Sequence, residues 1–575
     1  IRGMRIEPGE IESQLLTYKG INQAIVIHIE NPEKKNSYLC AYFTADKKAE
    51  IQTPELRAYL NTMLPDYMIP FFFVQIEQVP LNPNGKLNRR ALPVPTQVET
   101  ADYEAPRDEV EEKLVQIWAE ILEIEKSLIG TNDNFFEIGG HSLKAAILLS
   151  RIHRELHVKI TLAQVFSRPT IRGMGEYIRS MGADDYSPIK PAAKKEYYPL
   201  TPSQERLYFL QQLVGENIVY NMPAAFTLEG TIDKNRLHDA FNKLIQRHES
   251  FRTSFEMIEN EPVQRIHKHV EFKIAYFDLA TEGTEGKENK IHYSSFIIHH
   301  LSPFVLSCAP LLKVCLASAS EIRHLLFVDM HHIISDGVSQ GILIRDFIRL
   351  YEGEELLPLK LHYKDYAEWL NSEREQDAVK QHKEFWLNEF AGEIPLLDIP
   401  RDFSRPVVQS FAGAALTFRV ESKVADALKT LALGEGVTHF MIMLSLYTIF
   451  LARLSGREDI VVGTPIAGRK HADLEKIIGM FVNTLPLRNF PLGNIYFNEF
   501  LKDIKQRTLV AFTHQDYPYD ELVEALTIAR DTGRNPLFDT MLAVQNMELP
   551  AAEVPGLTLT PFDFQNKIAK FDLTL

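Results

Sequence analysis

The sequence predicts a multidomain α+β protein, and three observations carry that prediction. At 575 residues the chain exceeds what one hydrophobic core serves, since domains of about 150 residues are the usual unit. Its apolar pattern changes along the way, from mixed strand and helix, to helix alone, to a long alternation of both. Two polar stretches, residues 94–106 and 182–196, separate the three regions.

The first region, residues 1–97, holds apolar runs at 24–29, 38–44 and 71–76 that predict strands. Between them Thr53 and Pro54 offer an N-cap and a first-turn proline to a helix carrying Leu56, Leu60 and Met63. Asn82-Pro83-Asn84-Gly85 predicts a tight turn, because Asn84 and Gly85 tolerate positive φ, and Lys86 follows it directly.

The second region, residues 104–181, is helical. Val110, Leu114, Ile117, Trp118, Ile121 and Leu122 recur at helical spacing behind an acidic start. A second helix begins near Ser142 and is expected to bury Leu143, Ala146, Ile147 and Leu149; shorter helical pieces reach Met181 and complete a small bundle. The third region, residues 197–575, divides into two lobes of about 197–370 and 371–575. Its most apolar window, 440–452, lies between Thr438 and Gly456 as cap residues and is shorter than the roughly 20 residues that span a bilayer. A buried helix is expected there and no membrane partner.

Composition narrows the function. Hydrophobic residues at 45% and charged residues at 24% are those of folded soluble domains. A net charge of -15 without a basic stripe argues against nucleic acid. The three cysteines, Cys40, Cys308 and Cys315, form no CxxC pair, which suits a reducing cytoplasm. The chain opens on Ile1 with no signal-peptide pattern and reads as part of a longer protein.

Two constellations carry chemistry. In Asp133-Asn134-Phe135-Phe136-Glu137-Ile138-Gly139-Gly140-His141-Ser142-Leu143 a serine follows a glycine loop at the start of a helix. A hydroxyl there suits modification by a separate enzyme, with the helix N-terminus facing an incoming phosphate. On the Gly-Gly-His-Ser tetrad alone, a plain N-cap is the simpler reading. The second constellation is Met330-His331-His332-Ile333-Ile334-Ser335-Asp336-Gly337-Val338-Ser339. If the strand of residues 325–328 continues through it, His332 shares the face of Leu326, Val328 and Met330, and His331 points oppositely. Asp336 would anchor the following loop and Gly337 would admit a substrate to the backbone. An imidazole there could accept or share a proton from an amine. Core histidines remain the competing reading; a metal pair is the weakest, because no third ligand follows at a usable spacing.

The order of further motifs makes a resemblance specific. Thr201-Pro202-Ser203-Gln204-Glu205-Arg206-Leu207-Tyr208, Arg247-His248-Glu249-Ser250-Phe251-Arg252-Thr253, the histidine motif, Tyr363-Lys364-Asp365-Tyr366-Ala367-Glu368-Trp369, Ile478-Gly479-Met480-Phe481-Val482-Asn483-Thr484, His514-Gln515-Asp516-Tyr517-Pro518 and Arg530-Asp531-Thr532-Gly533-Arg534-Asn535-Pro536-Leu537 resemble, in order, the motifs of condensation domains of nonribosomal peptide synthetases. The serine motif resembles a peptidyl carrier domain. Arg2-Gly3-Met4-Arg5-Ile6-Glu7-Pro8-Gly9-Glu10-Ile11-Glu12 and Asn84-Gly85-Lys86-Leu87 resemble the C-terminal subdomain of an adenylation domain.

The resemblance implies a small α+β subdomain, a four-helix carrier bundle and a two-lobed, chloramphenicol-acetyltransferase-like α/β condensation domain truncated at its end. It implies 4'-phosphopantetheine attached to Ser142, amide formation at His332 supported by His331, Asp336 and Gly337, and an adenylation lysine at Lys86. Whether His332 deprotonates the amine or mainly positions it stays open. ATP and Mg would be needed only by a complete adenylation domain. The implied partners are a phosphopantetheinyl transferase, an upstream adenylation large subdomain and a downstream acceptor carrier; no metal site is implied. The rivals are an epimerisation domain, disfavoured by Gln340 after Ser339 and by His141 before Ser142, and a noncatalytic recruitment module of the same fold. His141 and Gln340 resemble the type accepting an L-configured donor.

Overall fold

The computed structural model describes residues 8–31, 36–45, 51, 56, 59–60, 63–64, 70, 72–76, 78, 80, 92, 104–136, 138–182, 186–279, 289–527, 531, 533–545, 552–554, 556–564 and 567–575. In the first unit, strand Ile21–Asn31 runs antiparallel to Asn36–Ala45, which is parallel to Phe72–Gln75. Alternation along the middle strand sends Leu39, Ala41 and Phe43 into a core with Ile11, Leu15, Leu56 and Leu60, while Cys40 and Tyr42 pack with Leu92. The Thr53-Pro54 start, the turn at 82–85 and Lys86 lie outside the described residues.

The bundle is built from helices Glu109–Leu122, Ser142–Leu156, Leu162–Ser167 and Ile171–Ser180. Asp108 caps the first, its Oδ1 accepting the Glu111 N–H at 3.0 Å. Trp118 meets Phe135 edge to face at 5.1 Å in the core. The helix from Ser142 buries Ala145, Leu148 and Ile152. Ala146, Ile147 and Leu149, expected inside, are half-buried. Both stripes are apolar, so periodicity does not choose between them; packing around Trp118 and Phe135 does.

The third region opens on a 6-stranded sheet ordered Ala552–Val554, Leu557–Pro561, Ala224–Gly230, Arg323–Met330, Leu312–Ser318 and Ala275–Asp278. Its central strand is covered on both faces. Leu326, Val328 and Met330 join the core under helices Lys234–Arg247 and Gly337–Tyr351, and Leu325 and Phe327 pack with Phe296 and Ile297 of helix Asn289–His300. That double burial is why residues 325–328 read as a continuous apolar run.

A 4-stranded sheet of Asn483–Asn489, Ile460–Ile466, Thr540–Met541 and Leu573–Thr574 forms the second core with helices His439–Ser455 and Phe497–Thr513. Thr438 Oγ1 accepts the Met441 N–H at 3.2 Å, and Gly456 ends that helix in the left-handed region at φ 67°. Among the described residues no single helix is long and apolar enough to cross a bilayer; Ser422–Glu435 and His439–Ser455 are bent by 108° to one another. Crossing segments stitch the two cores together. Leu557–Pro561 crosses back to pair with Ala224–Gly230, and Leu474, Ile477, Ile478, Met480 and Phe481 bury into the first core.

Candidate active site and carrier attachment site

The strand Arg323–Met330 ends one residue before the histidine pair, so the alternation expected to carry on through His332 stops there. His331 instead caps a short 3-10 turn, His332–Ile334, its Nδ1 accepting the Ile333 N–H at 3.1 Å. The turn still separates the two rings. His331 is 1% exposed, with Nε2 buried and unpaired, whereas His332 is half-buried. The backbone N–H of His332 donates to the Tyr220 carbonyl at 2.8 Å.

A carbonyl oxygen can only accept, so the 2.9 Å contact between His332 Nδ1 and Ser335 O fixes the proton on Nδ1. Nε2 therefore carries the lone pair and, unlike Nε2 of His331, is not sealed from solvent. Burial, together with the positive charge of Lys570, lowers His332 to about 4; burial, His332 and Lys570 lower His331 to about 3. Both rings are neutral near pH 7.

Asp336, expected to anchor the loop, does so from full burial. It is the N-cap of helix Gly337–Tyr351, Oδ1 accepting the Ser339 N–H at 2.8 Å, while Oδ2 accepts the Phe481 N–H at 3.1 Å. Arg469 Nη2 pairs with Oδ1 at 3.1 Å and donates to Ser339 Oγ at 2.9 Å. Arg469 Nη1 is held by the Leu474 and Ile477 carbonyls at 2.8 and 2.7 Å, and its guanidinium stacks 4.0 Å from the Phe481 ring centroid. Gly337 is the first residue of the helix, beside this network.

Motifs distant in sequence meet around the turn. Gln204 Nε2 donates to Ile333 O at 3.2 Å, Ser203 Oγ to Val482 O at 2.9 Å and Ser250 Oγ to Ile478 O at 2.5 Å. Thr201 and Tyr363 share a hydroxyl bond at 2.9 Å, and Tyr363 also donates to Met480 O. Asn483 Nδ2 donates to the Gln515 and Tyr517 carbonyls at 3.0 and 2.9 Å. Arg247 and His248 both meet Asp346 Oδ2, at 2.8 and 3.0 Å.

On the bundle, Ser142 is the first residue of its helix, and the N-cap residue His141 makes no side-chain cap bond. His141 thus leaves the first N–H groups of that helix uncapped by its own side chain, and a helix N-terminus suits a phosphodiester at Ser142. Gly140 leaves no room for a side chain: a Cβ there would lie 2.3 Å from the Phe135 ring. The bundle and the second lobe touch. Arg151 forms a two-pronged ion pair with Glu475 at 2.7 Å on each prong, and Tyr186 bonds His471 Nδ1 at 3.0 Å. Leu509 and Phe512 pack against the bundle core.

The structure thus joins His331, His332, Asp336 and Gly337, places Ser142 on a separate unit, and leaves Lys86 outside the described residues. Sequence reasoning missed Arg469, Tyr220 and Lys570. None lies in a motif that could be read, and Arg469 is 133 residues from Asp336. Gln204 and Ser339 were inside quoted motifs, but nothing local marked their partners. Among the described residues no group of His, Cys, Asp and Glu could hold a metal ion.

Three families match the chain: Condensation domain over residues 194–575, Phosphopantetheine attachment site over 112–178, and AMP-binding enzyme C-terminal domain over 10–86. Tyrocidine synthase 3 of Brevibacillus parabrevis is 47% identical over 100% of this chain and 9% of its own length. Bacitracin synthase 1 of Bacillus licheniformis is 48% identical over 100% of this chain and 11% of its own. The chain therefore spans about a tenth of these relatives. The crystal structure of the X-domain from teicoplanin biosynthesis matches with a TM-score of 0.60 at 25% identity, covering 68% of this chain and 87% of that one. A four-domain nonribosomal peptide synthetase bound to AMP and glycine matches with a TM-score of 0.59 at 22% identity, over 68% of this chain and 30% of that one.

Proposed function

Because this chain belongs to the condensation-domain family of the nonribosomal peptide synthetases, we propose that it joins a donor acyl group carried at Ser142 to the amine of an acceptor aminoacyl thioester at His332. The observation that carries the reading is the His332 imidazole: Nδ1–H is tied to Ser335 O, which leaves the lone pair on Nε2. Phosphopantetheine is the covalent cofactor of the carrier domain, and it supplies a thiol on a flexible arm that holds the donor as a thioester.

The residues of the chain do the rest. His332 Nε2 accepts a hydrogen bond from the incoming amine and orients its lone pair toward the donor carbonyl. As the C–N bond forms and the C–S bond breaks, the amine proton leaves by way of Nε2 and ends on the departing sulfur. Asp336 and Arg469 fix the loop that carries Ser335 and hence the ring. His331 caps the turn that carries it, and Gly337 keeps the helix start free of a side chain.

The domain order fits adenylation before the carrier and a further module after the condensation domain. A phosphopantetheinyl transferase would load Ser142, a separate carrier would bring the acceptor, and Lys86 would serve only a complete adenylation domain with ATP and Mg. An epimerisation reading is not favoured. Incubation with coenzyme A and a phosphopantetheinyl transferase tests the carrier step: intact mass should show one pantetheine addition on the native chain and none on Ser142→Ala. Addition retained by Ser142→Ala would refute it.

A further inference from the structure

Behind the first histidine, the sheet face that carries Leu325 and Phe327 turns polar at its end. Asp329 follows those residues on the same face by alternation, and Lys313 stands opposite it on the next strand. His331, with extended backbone at φ -79° and ψ 138°, continues the row and pairs with Asn221 on the other side. The bonds around that pair run from Met222 N–H to Met330 O and from His332 N–H to Tyr220 O, each at 2.8 Å. Asn221 and His331 therefore form the non-hydrogen-bonded kind of antiparallel pair, whose side chains lie closest. Asn221, Asp329 and His331 are all buried, at 7%, 0% and 1% exposure.

Hydrogen bonds fix how these groups are turned. The Ser302 carbonyl can only accept, so the Asn221 amide presents Nδ2 to it at 3.1 Å, and the same Nδ2 donates to Asp329 Oδ2 at 2.6 Å. Lys313 directs its ammonium donors elsewhere, to Ser302 O, Ser302 Oγ and Pro303 O at 3.0, 2.7 and 3.0 Å. His331 Nδ1 accepts the Ile333 N–H at 3.1 Å, which puts the proton of the neutral ring on Nε2. Among the described residues, Asn221 Oδ1, Asp329 Oδ1 and His331 Nε2 are then left buried with no hydrogen-bond partner. They are two acceptors and one donor, and polar groups sealed in a core are unfavourable unless met.

We propose that one water molecule is held among these atoms, and that through it Asn221 and Asp329 are positioning residues of the condensation site. Water is the ligand that the donors and acceptors select. It accepts from His331 Nε2–H and donates one O–H to Asn221 Oδ1 and the other to Asp329 Oδ1, the three bonds usual for a buried water. A cation would meet the Nε2–H, and an anion the carboxylate. The consequence reaches His332. Held by the water, His331 keeps its proton on Nε2 and its Nδ1 lone pair on the Ile333 N–H, which sets the turn His332–Ile334 and with it the Ser335 carbonyl that receives His332 Nδ1–H at 2.9 Å. The inference rests on the reading of His332 given above.

The test combines a crystal structure, 15N-histidine NMR and single-turnover condensation of the pantetheinylated full chain, as wild type, Asp329→Leu and Asp329→Asn, with His331→Gln assigning the signal. Wild type should show a water within about 3.2 Å of all three atoms, and one His331 tautomer, protonated at Nε2. Asp329→Leu removes an acceptor at similar volume. It should lose the water, mix the two His331 tautomers and slow condensation by about tenfold, with pantetheine loading at Ser142 unchanged. Asp329→Asn keeps an acceptor and should hold water, tautomer and rate near wild type. An ordered wild-type site without the water, or a folded Asp329→Leu protein with the wild-type tautomer or the wild-type rate, overturns the inference; if Asp329→Leu does not fold, Asn221→Ala removes the other acceptor and gives the same reading. Condensation abolished by His332→Ala but unaltered by Asp329→Leu would remove this inference and leave the proposed function standing.

Discussion

Asp336 has no idle oxygen: Oδ1 receives the Ser339 N–H and Arg469, and Oδ2 receives the Phe481 N–H. With Arg469 also nearly buried, at 7% side-chain exposure against 0%, the pair is one whose breakage leaves a charge stranded. Asp336→Asn should therefore destabilise the protein by about 3 kcal/mol, read as a lower denaturant midpoint at unchanged slope. Loss of activity in that variant should follow the loss of stability. The sequence showed half of this. An Asp-Gly step after two histidines is visible as an anchor, and its role as a helix cap is local chemistry. The arginine was invisible, because an ion pair across 133 residues leaves no mark on either neighbourhood. Tyr220 escaped for the same reason, since it acts through a backbone carbonyl.

At the scale of elements, strands and helices were legible wherever one face was buried and the other wet. Glu109–Leu122 follows its apolar spacing, and His439–Ser455 ends at the caps that the residues named. The misreadings came where pattern stopped deciding. The bundle helix from Ser142 has apolar residues on adjacent stripes, and the central strand ends at Met330, where His331 turns to cap the Ile333 N–H. Packing also explains a motif glycine. Gly479 abuts the Tyr363 ring so closely that a Cβ would stand 1.9 Å from Cδ2, and that ring is fixed by Thr201 and Met480. Gly479→Ala should destabilise by about 2 kcal/mol through overpacking, measured by chemical denaturation, whereas Gly341→Ala, where nothing lies within 4 Å, should be tolerated.

For the whole molecule, the order of the motifs was readable and their convergence was not. Residues from the opening, second and fourth motifs reach the turn of His332 or the segment 478–483 of the fifth through the bonds of Gln204, Ser203, Ser250 and Tyr363. The same loop region meets the carrier. Arg151 grips Glu475 between Leu474 and Ile477, whose carbonyls hold Arg469. At 19% and 21% side-chain exposure the two-pronged pair is worth about 1 kcal/mol. Arg151→Glu or Glu475→Arg alone should raise amide exchange at the bundle face and at residues 471–475, and the double swap should restore protection; exchange unchanged in both singles would show that the ion pair does not hold the carrier.

The central claim is that an acyl group loaded at Ser142 is joined to an amine at His332, and a single-turnover dipeptide assay tests it most directly. The chain is loaded at Ser142 with a donor, loading is confirmed by intact mass, and a soluble acceptor aminoacyl thioester is added to wild type and to His332→Ala. The account predicts equal loading and a dipeptide rate lower by about 100-fold or more in the variant. Dipeptide formed at the wild-type rate by a folded, fully loaded His332→Ala protein would contradict it.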